Sequence, residues 1–443
     1  MRVVIVGAGE VGSNIAVDLA ADHDVVVVDI DGDRVDSMSY SHDVLTVQGD
    51  GSDVSTLQEA GIEETDMLIA STDDDRTNIV TCGTADIFPD TFTIARVKSP
   101  QYLRTWERGE RAFGVDFMVC TDLLTAQNIT GVIGLPTARD VDTFADGLVQ
   151  MAEFEVPPES PVVGQTVQEA DRFASLTFAA VIREDGIVIP RGDTVIEPGD
   201  DVVVIGSPES AREFSSAIAP EQSVPRDIVV VGGSEIGYQT TRLLEARGFA
   251  PRLIEQDEGR ARWLAEQLPD TTVMQSDATD REFLERENVG EADVLIAALE
   301  NDQKNLLAGL LADRLGTARS VAVVDTVEFS DLFEAVGIDV AVSPREATAE
   351  EITRFTRGRR AENVSLIEGD RAEVMEFEVD ADGDAVGCSI RDLAAELPNG
   401  VVFGAITRDH ELITPRGDTV IEVGDHIVVF ADADAVEAVT AAL

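Results

Sequence analysis

RVVIVGAGEVG, residues 2–12, is the stretch that decides the fold. Residues 2–6 form a short β-branched run of the kind that becomes a buried parallel strand. Gly7, Gly9 and Gly12 follow in GxGxxG spacing. A helix is predicted from Glu10 to about Ala21, with Val11, Ile15 and Leu19 at helical spacing. The next run, VVVVD, ends on Asp29. Strand, glycine loop, helix, strand and terminal acid together make the fingerprint of a dinucleotide-binding βαβ unit.

Each position in the fingerprint has a physical task. Gly7 permits the tight turn, Gly9 lets the backbone approach a pyrophosphate, and Gly12 lets helix and strand pack closely. Ala8, Glu10 and Val11 complete the loop and the helix start, where N–H groups and the positive end of the helix dipole suit an anion. Asp29 is placed to accept hydrogen bonds from ribose hydroxyls. Asp31 beside it would repel a 2′-phosphate, which favours NAD over NADP.

Further out, VLTVQGD (44–50), DMLIAST (66–72) and FTIARV (92–97) are separated by helix-length intervals. Strand alternating with helix predicts right-handed crossovers and a doubly wound parallel sheet. From about Gly134 the pattern changes to LVQMAEFEV (148–156), TFAAVIRE (177–184), GIVIP (186–190) and DDVVVIGS (200–207), with Gly and Pro between them. That predicts a small, mainly antiparallel α+β domain. A helical stretch from Asp122 to about Ile133 bridges the two halves of the unit.

The whole unit then recurs. VGAGEVG (6–12) returns as VGGSEIG (231–237), and PRGDTVIEPGD (190–200) returns as PRGDTVIEVGD (415–425). Two different segments repeated in one order make the chain a tandem duplication. The predicted fold class is α/β, with two Rossmann-like doubly wound parallel-sheet domains, each followed by a small α+β domain. Their expected extents are 1–134, 135–219, 226–357 and 358–443, with the polar, twice-proline stretch PEQSVPR (220–226) as linker.

The copies are not identical. Ser234 replaces the middle glycine and would crowd a phosphate, and Glu255 falls where Asp29 stands. Asp50 in VQGDGSD (47–53) and Asp277 in MQSDATD (274–280) recur in turns after the third strand. Two readings stay open for them: contact with a ribose or adenine edge, or an Asx-turn or helix cap. STDDDRTN (71–78), which contains Thr72 and Asp73, corresponds to ALENDQKN (298–305) and lies at the strand edge where open α/β sheets bind ligands. Asp73, Asp74 and Asp75 read either as a cation site or as a solvated acidic loop and cap, and the second is favoured. Arg191 and Arg416, in the PRGDTVIE segments, read either as anion ligands or as parts of a turn, with hairpin geometry favoured.

Asp and Glu total 86 against 33 Lys and Arg in 443 residues, a formal net charge of −53. Such a field repels nucleic acid and anionic lipid heads. It reads as a cation-binding protein or as a halophilic surface, suited to molar salt where the Debye length is about 3 Å. The acids are scattered through all segments and Lys98 and Lys304 are the only lysines, which favours the salt-adapted surface. No apolar run approaches the ~20 residues that span a bilayer. The N-terminal apolar run is already the first strand, so a soluble cytoplasmic protein is expected.

Cys82, Cys120 and Cys388 form no C-x-x-C pair and are predicted to be buried free thiols. His23, His42, His410 and His426 have no zinc-ligand spacing, so no metal site is expected. The small domains hold no clustered His, Lys, Tyr or Cys; His410 and His426 have Asp185 and Asp201 as their first-copy counterparts. Nor is there a nucleophile elbow or Walker A motif. No catalytic residue is assigned on this reading, and an NAD-dependent oxidoreductase or a free-standing nucleotide sensor are the alternatives to a regulatory subunit.

VIVGAGEVGSNIA (4–16), VQGDGSD, ASTDDDRTN (70–78), IARVKSP (94–100) and PRGDTVIEPGD, in this order, resemble the TrkA family. Its members are cytoplasmic regulatory subunits of Trk-type potassium uptake systems. The resemblance covers essentially the whole chain, each unit looking like an RCK (or KTN) nucleotide-binding domain followed by a TrkA C-terminal domain. It implies a non-catalytic role: NAD(H), or alternatively ATP or ADP, reshapes a homo-oligomeric ring that gates a potassium-translocating membrane subunit at the inner face of the membrane. On matching positions it implies that Gly7, Gly9, Gly12, Asp29, Asp50 and Asp73 line the nucleotide site and that Arg96, in IARV, lies near the phosphates. Val323 stands in that place in the second copy, which with Ser234 weakens the case for conventional binding there.

Overall fold

The computed structural model describes the chain apart from residues 21–22, 43, 89–90, 110, 136, 184–185, 221–224, 358–362, 368–370, 380–382 and 384. The expected helix end at Ala21, Asp185, most of the 220–226 linker and the expected boundary at 358 therefore lie outside the described residues.

The first nucleotide fold contains β1 (Arg2–Val6), β2 (Asp24–Asp29), β3 (Leu45–Gln48), β4 (Met67–Ala70), β5 (Phe92–Val97) and β6 (Phe117–Cys120). They pair in parallel in the order β3-β2-β1-β4-β5-β6. The order reverses between β1 and β4, which opens a crevice at the carboxyl ends of these strands. Val3 to Val6 are at most 2% exposed, as a strand covered by helices on both faces requires. Strand β6 was not predicted. Its sequence, FMVC, holds one β-branched residue and is too short to show a period.

The first small domain contains β7 (Ala138–Phe144), β8 (Val149–Glu155), β9 (Leu176–Arg183), β10 (Gly186–Val188) and β11 (Asp201–Gly206). These are antiparallel in the order β10-β9-β11-β8-β7. Strand β7 and the helix Pro208–Ile218 also escaped the sequence reading. The helix starts where Ser207 accepts a hydrogen bond from Ser210 N–H, with Pro208 in the first turn. It buries Phe214, which meets Phe154, Phe173 and Phe178 edge-on.

The second half repeats this architecture. Strands β12 (Ile228–Val231), β13 (Arg252–Glu255), β14 (Thr272–Gln275), β15 (Val294–Ala297), β16 (Ser320–Val323) and β17 (Val340–Val342) form a parallel sheet in the order β14-β13-β12-β15-β16-β17. Strands β18 (Asn363–Ile367), β19 (Ala372–Glu378), β20 (Val401–Arg408), β21 (Glu411–Ile413) and β22 (His426–Asp432) form an antiparallel one in the order β18-β19-β22-β20-β21. The fold is thus two Rossmann-like domains, each followed by a small antiparallel-sheet domain. No described helix is long and apolar enough to cross a membrane.

Like packs with like. Residues 1–129 and 226–353, the two nucleotide folds, make one compact unit, while 130–225 and 354–443 make another. The predicted bridging helix is Thr121–Ile133, and the division between units falls inside it. Within the second unit the small domains share an apolar core that includes Phe144, Ile205, Val374 and Phe430. Thr177 Oγ1 donates to Gly404 O at 2.7 Å. A Cβ on Gly404 would lie 2.6 Å from Ile205 Cδ1, so this strand crossing requires glycine.

The PRGDTVIE segments are turns but not hairpins. β10 pairs with one edge of β9 and β11 with the other, so residues 190–200 cross from flank to flank of that strand. Thr194 bridges back to Arg191, its N–H donating to Arg191 O at 2.9 Å and its Oγ1 accepting from Arg191 N–H at 2.8 Å. Arg191 and Arg416 are exposed. Asp200 is buried and takes both Nε and Nη2 of Arg183, at 2.8 and 2.9 Å. Asp425 holds Arg408 in the same way, at 2.7 and 2.8 Å. Cys82 and Cys120 are buried and free, whereas Cys388 is only half-buried, because it lies in the turn before helix Ile390–Glu396 rather than in a sheet core.

Candidate nucleotide site

The three glycines of the first loop meet three different environments. Gly7 has φ +108°, a conformation L side chains rarely adopt, and a Cβ there would lie 2.9 Å from the Ser71 carbonyl carbon at the end of β4. A Cβ on Gly12 would fall 1.9 Å from Gly7 O, so helix Glu10–Ala20 packs directly on the turn. Above Gly9 the nearest atom is Arg34 Nη1 at 3.7 Å, which leaves that backbone open for a ligand.

A cavity of about 420 Å³ opens over this loop, a volume in the usual range for small-molecule sites. Of the residues expected at the site, Gly7, Gly9, Glu10, Val11, Asp29, Asp50, Thr72, Asp73 and Arg96 line it. Ala8 and Gly12 do not. Ala8 directs its N–H to Asp29 Oδ2 at 2.6 Å, and Gly12 faces the turn, so both shape the loop instead. Asp29 is 8% exposed and also accepts from Asp31 N–H at 2.8 Å. It braces the loop, and each of its oxygens retains a lone pair for a further donor.

Asp50 makes the Asx-turn of the second reading and stands beside the cavity. It accepts from Ser52 N–H at 2.9 Å and Ser52 Oγ at 2.7 Å. The three acids of STDDDRTN each have protein partners. Asp74 caps helix Asp75–Ala85 through Thr77 N–H at 2.7 Å, and Asp75 accepts from the backbones of Lys98 and Ser99. Asp73 stands 3.6 Å from both Arg96 Nη1 and Lys98 Nζ. This is the loop-and-cap arrangement.

Two groups that organise the site were not singled out in the sequence. Asn78, 1% exposed, accepts from Thr72 N–H and Oγ1 and donates to Arg96 O, tying β4 to β5 at the cavity floor. Asn305 repeats these contacts at Leu299 and Val323. Its signal was available, since this Asn closes both copies of the repeated segment.

The other is Arg345, from the second nucleotide fold. It is the second residue of helix Pro344–Arg357 and grips Asp325 with Nε at 3.1 Å and Nη2 at 2.5 Å. Its Nη1 donates to Glu10 Oε2 at the start of the glycine-loop helix. Arg96, 4% exposed, faces the same space and donates from Nε to Thr121 Oγ1 at 3.2 Å. Burial pushes the Arg96 pKa down; Asp73 opposes this and the Arg345 charge adds to it.

The second loop is braced alike but faces different chemistry. Glu255 accepts from Gly233 N–H at 2.8 Å and Asp257 N–H at 2.7 Å, reproducing Asp29. Ser234 donates to Ala298 O at 2.7 Å and caps helix Glu235–Ala246 through Gly237 N–H, so its hydroxyl is already committed. Arg260 donates to Gly233 O at 2.7 Å and lies over Trp263, 4.3 Å from the ring centre. Val323 replaces Arg96. Asp122 occupies the helix position of Arg345, and its carboxyl is pushed up to about 7 by burial and then by the negative charge of Glu235.

Matches to known proteins agree with this architecture. The TrkA-N domain model matches residues 3–121 and 228–344, and the TrkA-C domain model matches 151–219 and 374–443. The chain is 37% identical over 446 residues to the Trk system potassium uptake protein TrkA homolog 1 of Methanosarcina mazei, with 98% of each covered. It is 36% identical over 437 residues to the corresponding homolog of Archaeoglobus fulgidus, covering 99% of this chain and 98% of that one. Among solved structures, the GsuK channel bound to NAD superposes with a TM-score of 0.63 at 21% identity, over 99% of this chain and 78% of that chain. At that identity the likeness is one of fold.

Proposed function

The chain belongs to the TrkA family, and from that premise we propose that it is the nucleotide-binding subunit that gates a Trk-type potassium-translocating membrane partner. The observation that carries the proposal is the cavity over the open backbone of Gly9, whose lining includes Arg34, Arg96 and Arg345. A phosphate-bearing ligand suits this lining of backbone N–H groups at a helix N-terminus and arginine cations.

In this reading NAD(H) is the ligand, with ATP or ADP as the alternative. The backbone of Gly7, Gly9, Glu10 and Val11 would receive the phosphates and Asp29 the ribose hydroxyls, with Asp50, Thr72, Asp73 and Arg96 closing the walls. Ala8 and Gly12 act indirectly, through loop shape. Asp29 and Asp31 together disfavour a 2′-phosphate and hence NADP, with Arg34, 3.9 Å from each, as the opposing charge. Binding is assigned to the first fold, because the second presents Val323, a committed Ser234 and the acids Asp122 and Glu235.

A regulatory role is favoured over an oxidoreductase by the cavity wall, which among the described residues carries no His, Lys, Tyr or Cys to move a proton. The four-domain division 1–134, 135–219, 226–357 and 358–443 is part of the proposal. So is a homo-oligomeric ring held at the inner face of the membrane by its transporter partner. Nucleic acid is not a partner in this scheme, given the net charge of −53.

The test is calorimetric titration in molar KCl with NADH, NAD, NADPH, ATP and ADP, followed by potassium flux through vesicles carrying the membrane subunit. One saturable site per chain, weak NADPH binding and nucleotide-dependent flux are expected. Absence of binding by all five nucleotides would overturn the reading, and binding without any effect on flux would leave a free-standing sensor.

A further inference from the structure

We propose that Arg345 is the phosphate-reading residue of the first fold's site, exchanging Glu10 for a nucleotide phosphate oxygen and so carrying occupancy into the second fold. The inference rests on the nucleotide reading above.

Arg345 is a cavity-lining residue contributed by the second nucleotide fold. Its guanidinium is permanently charged and offers a planar fork of donors. Two of its nitrogens are anchored on Asp325, which belongs to its own fold. The third, Nη1, points across to the first fold and meets Glu10 Oε2. Glu10 opens the helix that follows the glycine loop, where an anion is favoured by the free N–H groups and the helix dipole. Its carboxylate therefore stands where a phosphate would be drawn. The Glu10 side chain is 40% exposed, so it can turn out into solvent when displaced, whereas the Asp325 grip is bidentate and stays with Arg345.

A second contact leads to the same helix. Arg96 donates to Thr121 Oγ1, and that hydroxyl in turn lies 3.0 Å from Thr348 Oγ1, whose own hydrogen goes to Pro344 O. Thr348 is fully buried and lies one turn after Arg345 on helix Pro344–Arg357. Arg96 and Arg345, two of the three arginines lining the cavity, thus engage one helix of the second fold, Arg345 by belonging to it and Arg96 through Thr121. Two like charges facing one space repel, and a phosphate between them removes that repulsion while joining the folds. The symmetry-related position holds Asp122, which cannot do this.

The test compares wild-type full-length protein with Arg345→Gln and Glu10→Gln, using NADH and ATP as probes in calorimetric titrations. Both variants break the same ion pair, so damage from its loss would change affinity in the same direction. Displacement predicts opposite directions. Arg345→Gln should weaken binding about tenfold, the worth of a charged hydrogen bond. Glu10→Gln should strengthen it, because the competing carboxylate is gone. Arg345→Lys, which keeps charge but loses the fork, should fall between Arg345→Gln and wild type. Spin labels on the two nucleotide folds should report a distance change on adding nucleotide to wild type and none in Arg345→Gln. Unchanged affinity in Arg345→Gln, or weakening in both ion-pair variants, would overturn the inference alone. A wild-type protein that binds neither probe would overturn the proposed function with it.

Discussion

Asp122 and Arg345 are the second residues of equivalent helices, Thr121–Ile133 and Pro344–Arg357, one an acid and the other a base. The neighbouring threonines, Thr125 and Thr348, make the same bond to the carbonyl four residues back, so the two helices match in register. Yet Arg345 pairs with Glu10, while Asp122 lies in the field of Glu235, the counterpart of Glu10. A duplicated fold thus presents a cation to one glycine loop and an acid to the other. That single reversal makes the two loops electrostatically unequal before any ligand arrives.

The Asp122 carboxyl should leave a signature in stability. Its pKa is about 7 in the folded protein against 3.8 ordinarily, chiefly because it is buried. Between these values the folded state holds a proton that the unfolded state has released. The contribution of this group to stability is therefore present below about pH 4 and is lost as pH rises to 7. Asp122→Asn should exceed wild type by on the order of 1–3 kcal/mol at pH 8 and match it near pH 4. Denaturant curves at the two pH values measure this; an equal difference at both would remove the titration from the account.

Gly9 and Gly12 should separate binding from folding. Gly9→Asp places a carboxylate in open space where phosphate is expected, so nucleotide affinity should vanish while the thermal midpoint stays within a few degrees of wild type. Gly12→Ala would bring a methyl group 1.9 Å from Gly7 O and should destabilise the first fold by about 1–3 kcal/mol. Unchanged nucleotide affinity in Gly9→Asp would take Gly9 out of the site.

The buried Asp of each PRGDTVIE segment should matter more than the exposed Arg. Asp425 is fully buried and holds Arg408 and the N–H of Glu422. Asp425→Ala strands the Arg408 guanidinium and should cost about 3–5 kcal/mol, with Asp200→Ala behaving alike. Arg416→Ala should change stability by no more than about 0.5 kcal/mol. Chemical denaturation of the three variants tests the ordering.

Salt should stabilise the chain strongly. With a net charge of −53, self-repulsion is long-ranged at 0.1 M KCl, where the Debye length is about 10 Å, and screened in molar KCl. The thermal midpoint should climb by several degrees across that range. A flat series would show that the acids carry no salt adaptation.

Features with local physical causes were legible in the sequence. The β-branched run of β1, the positive-φ turn at Gly7 and the acid ending β2 each obey a rule of period, backbone freedom or hydrogen bonding within a few residues. The same holds for the duplication, which shows as repeated strings. Strands β6 and β7 were missed because a four-residue apolar run and a strand of alternating charge carry little β signal until a neighbour pairs with them.

By itself, then, the sequence determined two nucleotide folds, two small domains, and which loop keeps its full set of glycines. Tertiary structure alone decided that nucleotide fold packs with nucleotide fold, that residues 190–200 cross β9 instead of turning back, and that Arg345 enters a site whose loop begins at Gly7. The reason is reach. Glu10 and Arg345 are 335 residues apart in the chain, and no local period or backbone preference encodes such a pair. Only the packing of the two folds into one compact unit brings the second fold's cation to the first fold's glycine-loop helix.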